Sequence, residues 1–197
     1  MENRCHRCDR VLSDPNAVFC WRCAEILGVS GELSKMGAVV LDKAGYDLSS
    51  DLLKLAASGS GNKYVAKEGS YASNLLKNDK GLNEFIRNTI EEQAKKQKSS
   101  NLTIPTVTYE IPLGNGDIGA ALHNVRVDIK ANKENDGKWK AKVKVKDDFD
   151  FTEFKNPFKQ KSFKEGFLWL ANDVATASSE LGLLDEVGVE ITYSKKY

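Results

Sequence analysis

All four cysteines of the chain fall within its first 23 residues, as Cys5-His6-Arg7-Cys8 and, eleven residues later, Cys20-Trp21-Arg22-Cys23. Each Cys-x-x-Cys sets two thiolates on one side of a tight turn. Two such turns make a tetrahedral set of soft donors that suits Zn2+. An ion ligated wholly by protein keeps no open position for substrate, so residues 1–28 read as a structural zinc ribbon. A segment this short buries too little apolar surface to fold alone, and metal binding would supply most of its folding free energy. Two disulfides or an iron centre are the competing uses of these thiols. The chain begins without the pattern of a secretory leader, and maturation in a reducing compartment favours zinc. Arg4, Arg7, Arg10 and Arg22 are balanced by Glu2, Asp9, Asp14 and Glu25, so protein docking is the expected role of the ribbon.

Beyond the ribbon the chain is free of cysteine, so disulfides do not hold its larger part together. Its 29 basic side chains nearly cancel 28 acidic ones, which removes any global field toward nucleic acid or an anionic membrane. No apolar run approaches the ~20 residues of a membrane-spanning helix. The expectation is a protein that is cytoplasmic as synthesised.

Residues 29–62 read as a helical linker region. Ser30 caps a stripe of Leu33, Met36, Val40, Leu41 and Ala44 that stops at Gly45, and a short helix over 50–57 leads into Ser58-Gly59-Ser60-Gly61. Asp79 caps a further helix carrying Leu82, Phe85, Ile86, Ile90 and Ala94 on one face. From Ile104 the apolar period shortens to two. Val107, Tyr109, Ile111 and Leu113 alternate with polar residues, Pro105 and Pro112 assign that strand to an edge, and Gly114 to Asp117 form a turn. Val125 to Ala131 and Trp139 to Val145 form an antiparallel hairpin. Ser162 and Glu165 open a helix that ends at Gly182, and Val187 to Tyr193 form a last strand. Residues 63–197 are thus an α+β domain with a mainly antiparallel sheet and a packed helix.

Two polar features stand out in that domain. Lys138, Lys140, Lys142, Lys144 and Lys146 share the outward face of one strand, with Lys140, Lys142 and Lys144 at its centre. They serve either as a docking surface for phosphates or as a solvated face that discourages edge pairing. Directly after them stands Asp147-Asp148-Phe149-Asp150-Phe151. If the strand persists, Asp148 and Asp150 project with the lysines while the phenylalanines turn inward. Such carboxylates suit Mg2+ or Ca2+, or else accept backbone hydrogen bonds in a polar turn.

The run Gly116-Asp117, Ala121-Leu122-His123-Asn124, a hairpin, Gly137-Lys138-Trp139 and Asp147 to Phe151 resembles the activity domain of colicin M and related lipid II-degrading bacteriocins. The resemblance covers roughly residues 65–197 and excludes the ribbon. It implies a toxin that cuts a phosphate linkage in a lipid-linked peptidoglycan precursor with a divalent metal. Asp147 and Asp150 match the two aspartates of the family's Asp-x-Tyr-Asp-Phe segment, with Phe149 at the tyrosine. Asn156 and Pro157 stand where the family has a histidine and an arginine, so either His123 folds back as the candidate proton carrier or Lys155, Lys159 or Lys161 supplies the charge. The partners implied are that precursor and an immunity protein, with delivery by a secretion system. The alternative is a non-enzymatic adaptor, the ribbon docking a protein and the lysine face an anionic ligand. Nucleic acid is disfavoured, because aromatics do not interleave with the basic strand.

Overall fold

The structure, a computed structural model, describes residues 4, 11, 35–39, 41–58, 63–112, 115–149 and 186–197. The four cysteines, Asp150 and the expected helix between Ser162 and Gly182 lie outside these residues. Near the start of the chain, Arg4 and Val11 form an isolated antiparallel bridge. Residues 35–39 and 41–43 are helical, and Gly45 ends that segment with φ of +78°, a left-handed conformation that glycine adopts without steric cost.

The remaining elements are α1 (Asp47–Ala57), β1 (Lys63–Ala66), α2 (Tyr71–Asn78), α3 (Lys80–Gln97), β2 (Asn101–Glu110), α4 (Gly116–Ala121), β3 (Asn124–Lys133), β4 (Trp139–Phe149) and β5 (Val187–Lys196). They form an α+β unit around one five-stranded sheet ordered β1-β5-β4-β3-β2. Three pairings are antiparallel and that of β1 with β5 is parallel, so the sheet is mixed.

Alternation in the sequence fixes the register. Val107, Val127, Val145, Ile191 and Ala66 meet side by side across all five strands, and Ile104, Ile129, Val143 and Tyr193 form the next row. A slip of one residue would turn every one of these side chains to the opposite face. β2 lies at the edge, and Pro105 sits where its ladder is interrupted between Ile104 and Val107, a place that needs no amide proton.

The helices lie on the inner face. α2 packs on β5, α3 on β2, and α1 on both α4 and β5. Leu48, Leu52, Leu76, Leu82, Ile86 and Ile90 from these helices share one buried cluster with the inner side chains of the sheet. Each such side chain contributes about 1.5–3 kcal/mol by leaving water. Asp79 caps α3 as the sequence indicates, its carboxylate accepting the Leu82 amide at 2.7 Å. Just before it, the Asn83 side-chain amide donates to the carbonyls of Leu76, Lys77 and Asp79, fastening the elbow between α2 and α3. The C-terminal Tyr197 donates its hydroxyl to Asn83 Oδ1 at 2.8 Å, and its backbone exchanges hydrogen bonds with Trp139.

The structure corrects the expected turn at Gly114 to Asp117. Asn115 bonds back to Pro112, but the chain then continues into α4 from Gly116, whose φ is +59°. β1 and α2 are elements that the apolar pattern does not announce. No helix among the described residues is long and apolar enough to cross a membrane.

Candidate functional site

β4 carries both polar features of the sequence, and its alternation sorts them onto two faces. Trp139, Ala141, Val143, Val145 and Phe149 are buried on the inner face, and the even-numbered residues point outward. Asp147 therefore belongs to the inner face, two residues before the end of the strand. Asp148 faces outward as expected, and Arg126 donates to its carboxylate at 2.6 Å. The two neighbouring carboxylates do not share a site.

Asp147 is held by the backbone. Its Oδ2 accepts the His123 amide at 2.9 Å and its Oδ1 accepts the Asp148 amide at 3.0 Å. Burial nonetheless pushes its carboxyl above the usual range, outweighing these two hydrogen bonds. His123 lies in the link between α4 and β3, half-buried, and its carbonyl accepts the Ile111 amide at 2.8 Å. The His123 peptide thus joins the end of β2 to the end of β4. Two candidate residues 24 positions apart meet there, while the third, Asp150, lies outside the described residues.

The lysine face is not uniform. Lys144 bonds Glu190 at 2.9 Å, Lys63 bonds the same carboxylate at 2.7 Å, and these two lysines hold the Glu190 carboxyl down at about 2. Lys146 bonds Asp128 at 2.8 Å, and Thr106 donates to the other oxygen of that carboxylate. Lys140 and Lys142 are exposed and have no ion pair among the described residues. Lys144, one of the three lysines expected to bind an anion, is therefore already neutralised in part.

A buried carboxylate that the sequence reading placed in a turn is more completely engaged than any of these. Asp117, on α4, is 8% exposed. Its Oδ2 accepts the Leu48 amide at 2.8 Å and its Oδ1 accepts the Ser49 amide at 2.9 Å and the Ser49 hydroxyl at 2.6 Å. Tyr71 adds its phenol at 3.2 Å, and burial together with this carboxylate pushes that phenol up to about 12. Tyr46, the residue before α1, supplies no side-chain cap, and Asp117 takes that part from 68 residues away. Its role is to hold α1 in place, and no local signal in the sequence reveals it.

Beside α4 runs an open groove of about 640 Å3, lined by Leu75, Asp79, Tyr109, Pro112, Asn115 and Ile118 among others. Asp79 is already engaged there, by the Leu82 amide and the Asn115 side chain.

No family model matches the chain, and no curated protein matches it. Among solved structures it is similar to PaeM, a colicin M-like bacteriocin produced by Pseudomonas aeruginosa. The identity is 11%, the TM-score 0.37, and the match covers 76% of this chain and 50% of that one, so the chain spans about half its length.

As for metals, no group of three or more histidines, cysteines, aspartates or glutamates among the described residues has the arrangement to hold an ion. Asp147 keeps a lone pair on each oxygen after accepting its two amides, which is compatible with a hard cation. Asp148 faces the other side of the sheet and does not join it.

Proposed function

We propose that the chain is an antibacterial toxin or effector whose α+β domain is a divergent relative of the colicin M activity domain. It acts on a phosphate linkage of a lipid-linked cell-wall precursor. The observation that carries this reading is the hydrogen bond from the His123 backbone amide to Asp147: one aspartate of the family-like segment, its pKa raised by burial, is joined through the main chain to a residue whose own segment belongs to the same resemblance. In this reading Asp150 is the most critical carboxylate. Asp147 holds or moves a proton at Oδ2, and His123 takes the place of the histidine that Asn156 replaces. Mg2+ or Ca2+ held at the aspartate cluster would supply a Lewis acid toward a phosphate oxygen. The N-terminal ribbon, residues 1–28, holds Zn2+ through Cys5, Cys8, Cys20 and Cys23, a donor set of four thiolates suited to a structural ion. Synthesis is cytoplasmic, a secretion machine delivers the protein, and an immunity protein protects the producer.

Expression in a bacterium tests the reading. Toxicity is expected only when an export leader is added, and Asp150→Ala abolishes it. Harmless expression in both forms would contradict it. For the ribbon, elemental analysis of purified protein should find one zinc per chain, and native-state alkylation should find the four thiols protected. Metal-free protein with four reactive thiols would refute that assignment.

A second reading has its own support. Both oxygens of Asp147 already accept backbone amides, as a purely structural turn carboxylate would, and the His-Arg pair is replaced by Asn156 and Pro157. The chain would then be an adaptor that docks a protein through its ribbon, and Asp150→Ala would leave its function intact.

A further inference from the structure

On the outer face of the sheet, most basic side chains are answered by acids. Arg126 pairs with Asp148, Lys146 with Asp128, Lys63 and Lys144 with Glu190, and Lys196 with Glu134 and Asp136. Lys130, Lys140 and Lys142, with Lys138 just before β4, are the exception: all are exposed, and none has an ion pair among the described residues. Lys130 and Lys142 are direct register partners, and Lys140 lies two residues along the same strand, on the same face. Strands stand about 4.8 Å apart and side chains on one face recur about every 7 Å, so the three ammonium groups form a compact triangle. Like charges directly opposite one another destabilise a sheet, and a bound anion would relieve that repulsion.

What surrounds the triangle narrows the occupant. Thr103, Asn132, Ser194 and Lys196 are its neighbours by register; Glu68 accepts from Ser194, and Glu134 and Asp136 of the β3–β4 link neutralise Lys196. Trp139, Phe149 and Tyr193 all point to the inner face, so no aromatic ring of β3, β4 or β5 offers a stacking platform for single-stranded nucleic acid. An apolar anchor of the kind that dominates protein interfaces is also missing among these neighbours. What remains is a polar, slightly twisted surface with three unanswered lysines, which matches a plane of anionic headgroups that asks for charge and nothing else. We propose that Lys130, Lys140 and Lys142 form a docking face for an anionic lipid bilayer. The inference does not depend on any reaction at Asp147.

Vesicle co-sedimentation tests it, with equal parts phosphatidylglycerol and phosphatidylcholine against phosphatidylcholine alone. The full-length protein binds the anionic vesicles and not the neutral ones, and salt weakens the binding. Replacing all three lysines by glutamine weakens it on the order of a hundredfold, since each lysine near an anionic surface contributes about fivefold. A control carrying Lys43→Gln, Lys95→Gln and Lys96→Gln removes equal charge from exposed positions off the sheet and binds like the parent. Circular dichroism shows both variants folded, because glutamine at the triangle removes repulsion and no contact. Equal loss in the control, no binding to anionic vesicles, or tighter binding to duplex DNA or polyglutamate would overturn the proposal. No substrate is present in this assay, so it stands or fails separately from the toxin reading.

Discussion

The Glu190 and Asp147 carboxyls are shifted in opposite directions, and the reason is local in each case. Glu190 is bonded by Lys63 and Lys144, which hold its carboxyl at about 2 against an ordinary 4.5. A depressed folded value means that stability is fully present above pH about 4.5 and is lost as pH falls toward about 2. Asp147, raised by burial, contributes in the reverse sense, its share being lost as pH rises through the folded value. Urea titrations from neutral pH to pH 2 should therefore show Glu190→Gln flattening the acid limb of the stability curve. An acid limb identical to that of the parent would show that the lysines do not hold this carboxylate in solution. Outward lysines on β4 were legible from the alternation of the sequence. Which of them are neutralised was not, because the partners Glu190 and Asp128 come from neighbouring strands and depend on register.

At the scale of elements, β3, β4, β5 and α3 could be read in advance, because long alternating or helical stripes bury one face and leave little choice of structure. β1, with four residues, and α4, with the sequence Gly-Asp-Ile-Gly-Ala-Ala, have no such stripe. They exist because of partners: β1 pairs with β5, and α4 is tied through Asp117 to the first turn of α1. The placement of His123 beside Asp147 has the same origin, since α4 and the end of β2 position that link. Asp117→Ala should remove the acceptor of the two α1 amides and leave them buried. A loss on the order of 3 kcal/mol is expected, from charge-assisted bonds of about 1.5–3 kcal/mol each and partial relaxation. Asp117→Asn should recover part of it. Chemical denaturation measures both, and a loss below about 0.5 kcal/mol, the range of neutral surface changes, would contradict the capping role.

For the molecule as a whole, two polar regions share β4 yet face opposite ways. The inner end carries Asp147 with His123, and the outer face carries the lysine triangle nearer the β3–β4 hairpin. On the outer face of the sheet, Lys130, Lys140 and Lys142 lie side by side without an ion pair among the described residues. The buried cluster among the described residues contains no cysteine. Whether the β4 end performs phosphate-ester chemistry is decided by a direct assay. Purified protein is incubated with a detergent-solubilised lipid-linked peptidoglycan precursor and Mg2+, and the release of the phosphorylated sugar-peptide is measured by chromatography. Release by the parent, at least a hundredfold slower with Asp147→Asn or Asp150→Ala, is the predicted result. No release by folded, zinc-loaded protein, or equal release by all three, would contradict it.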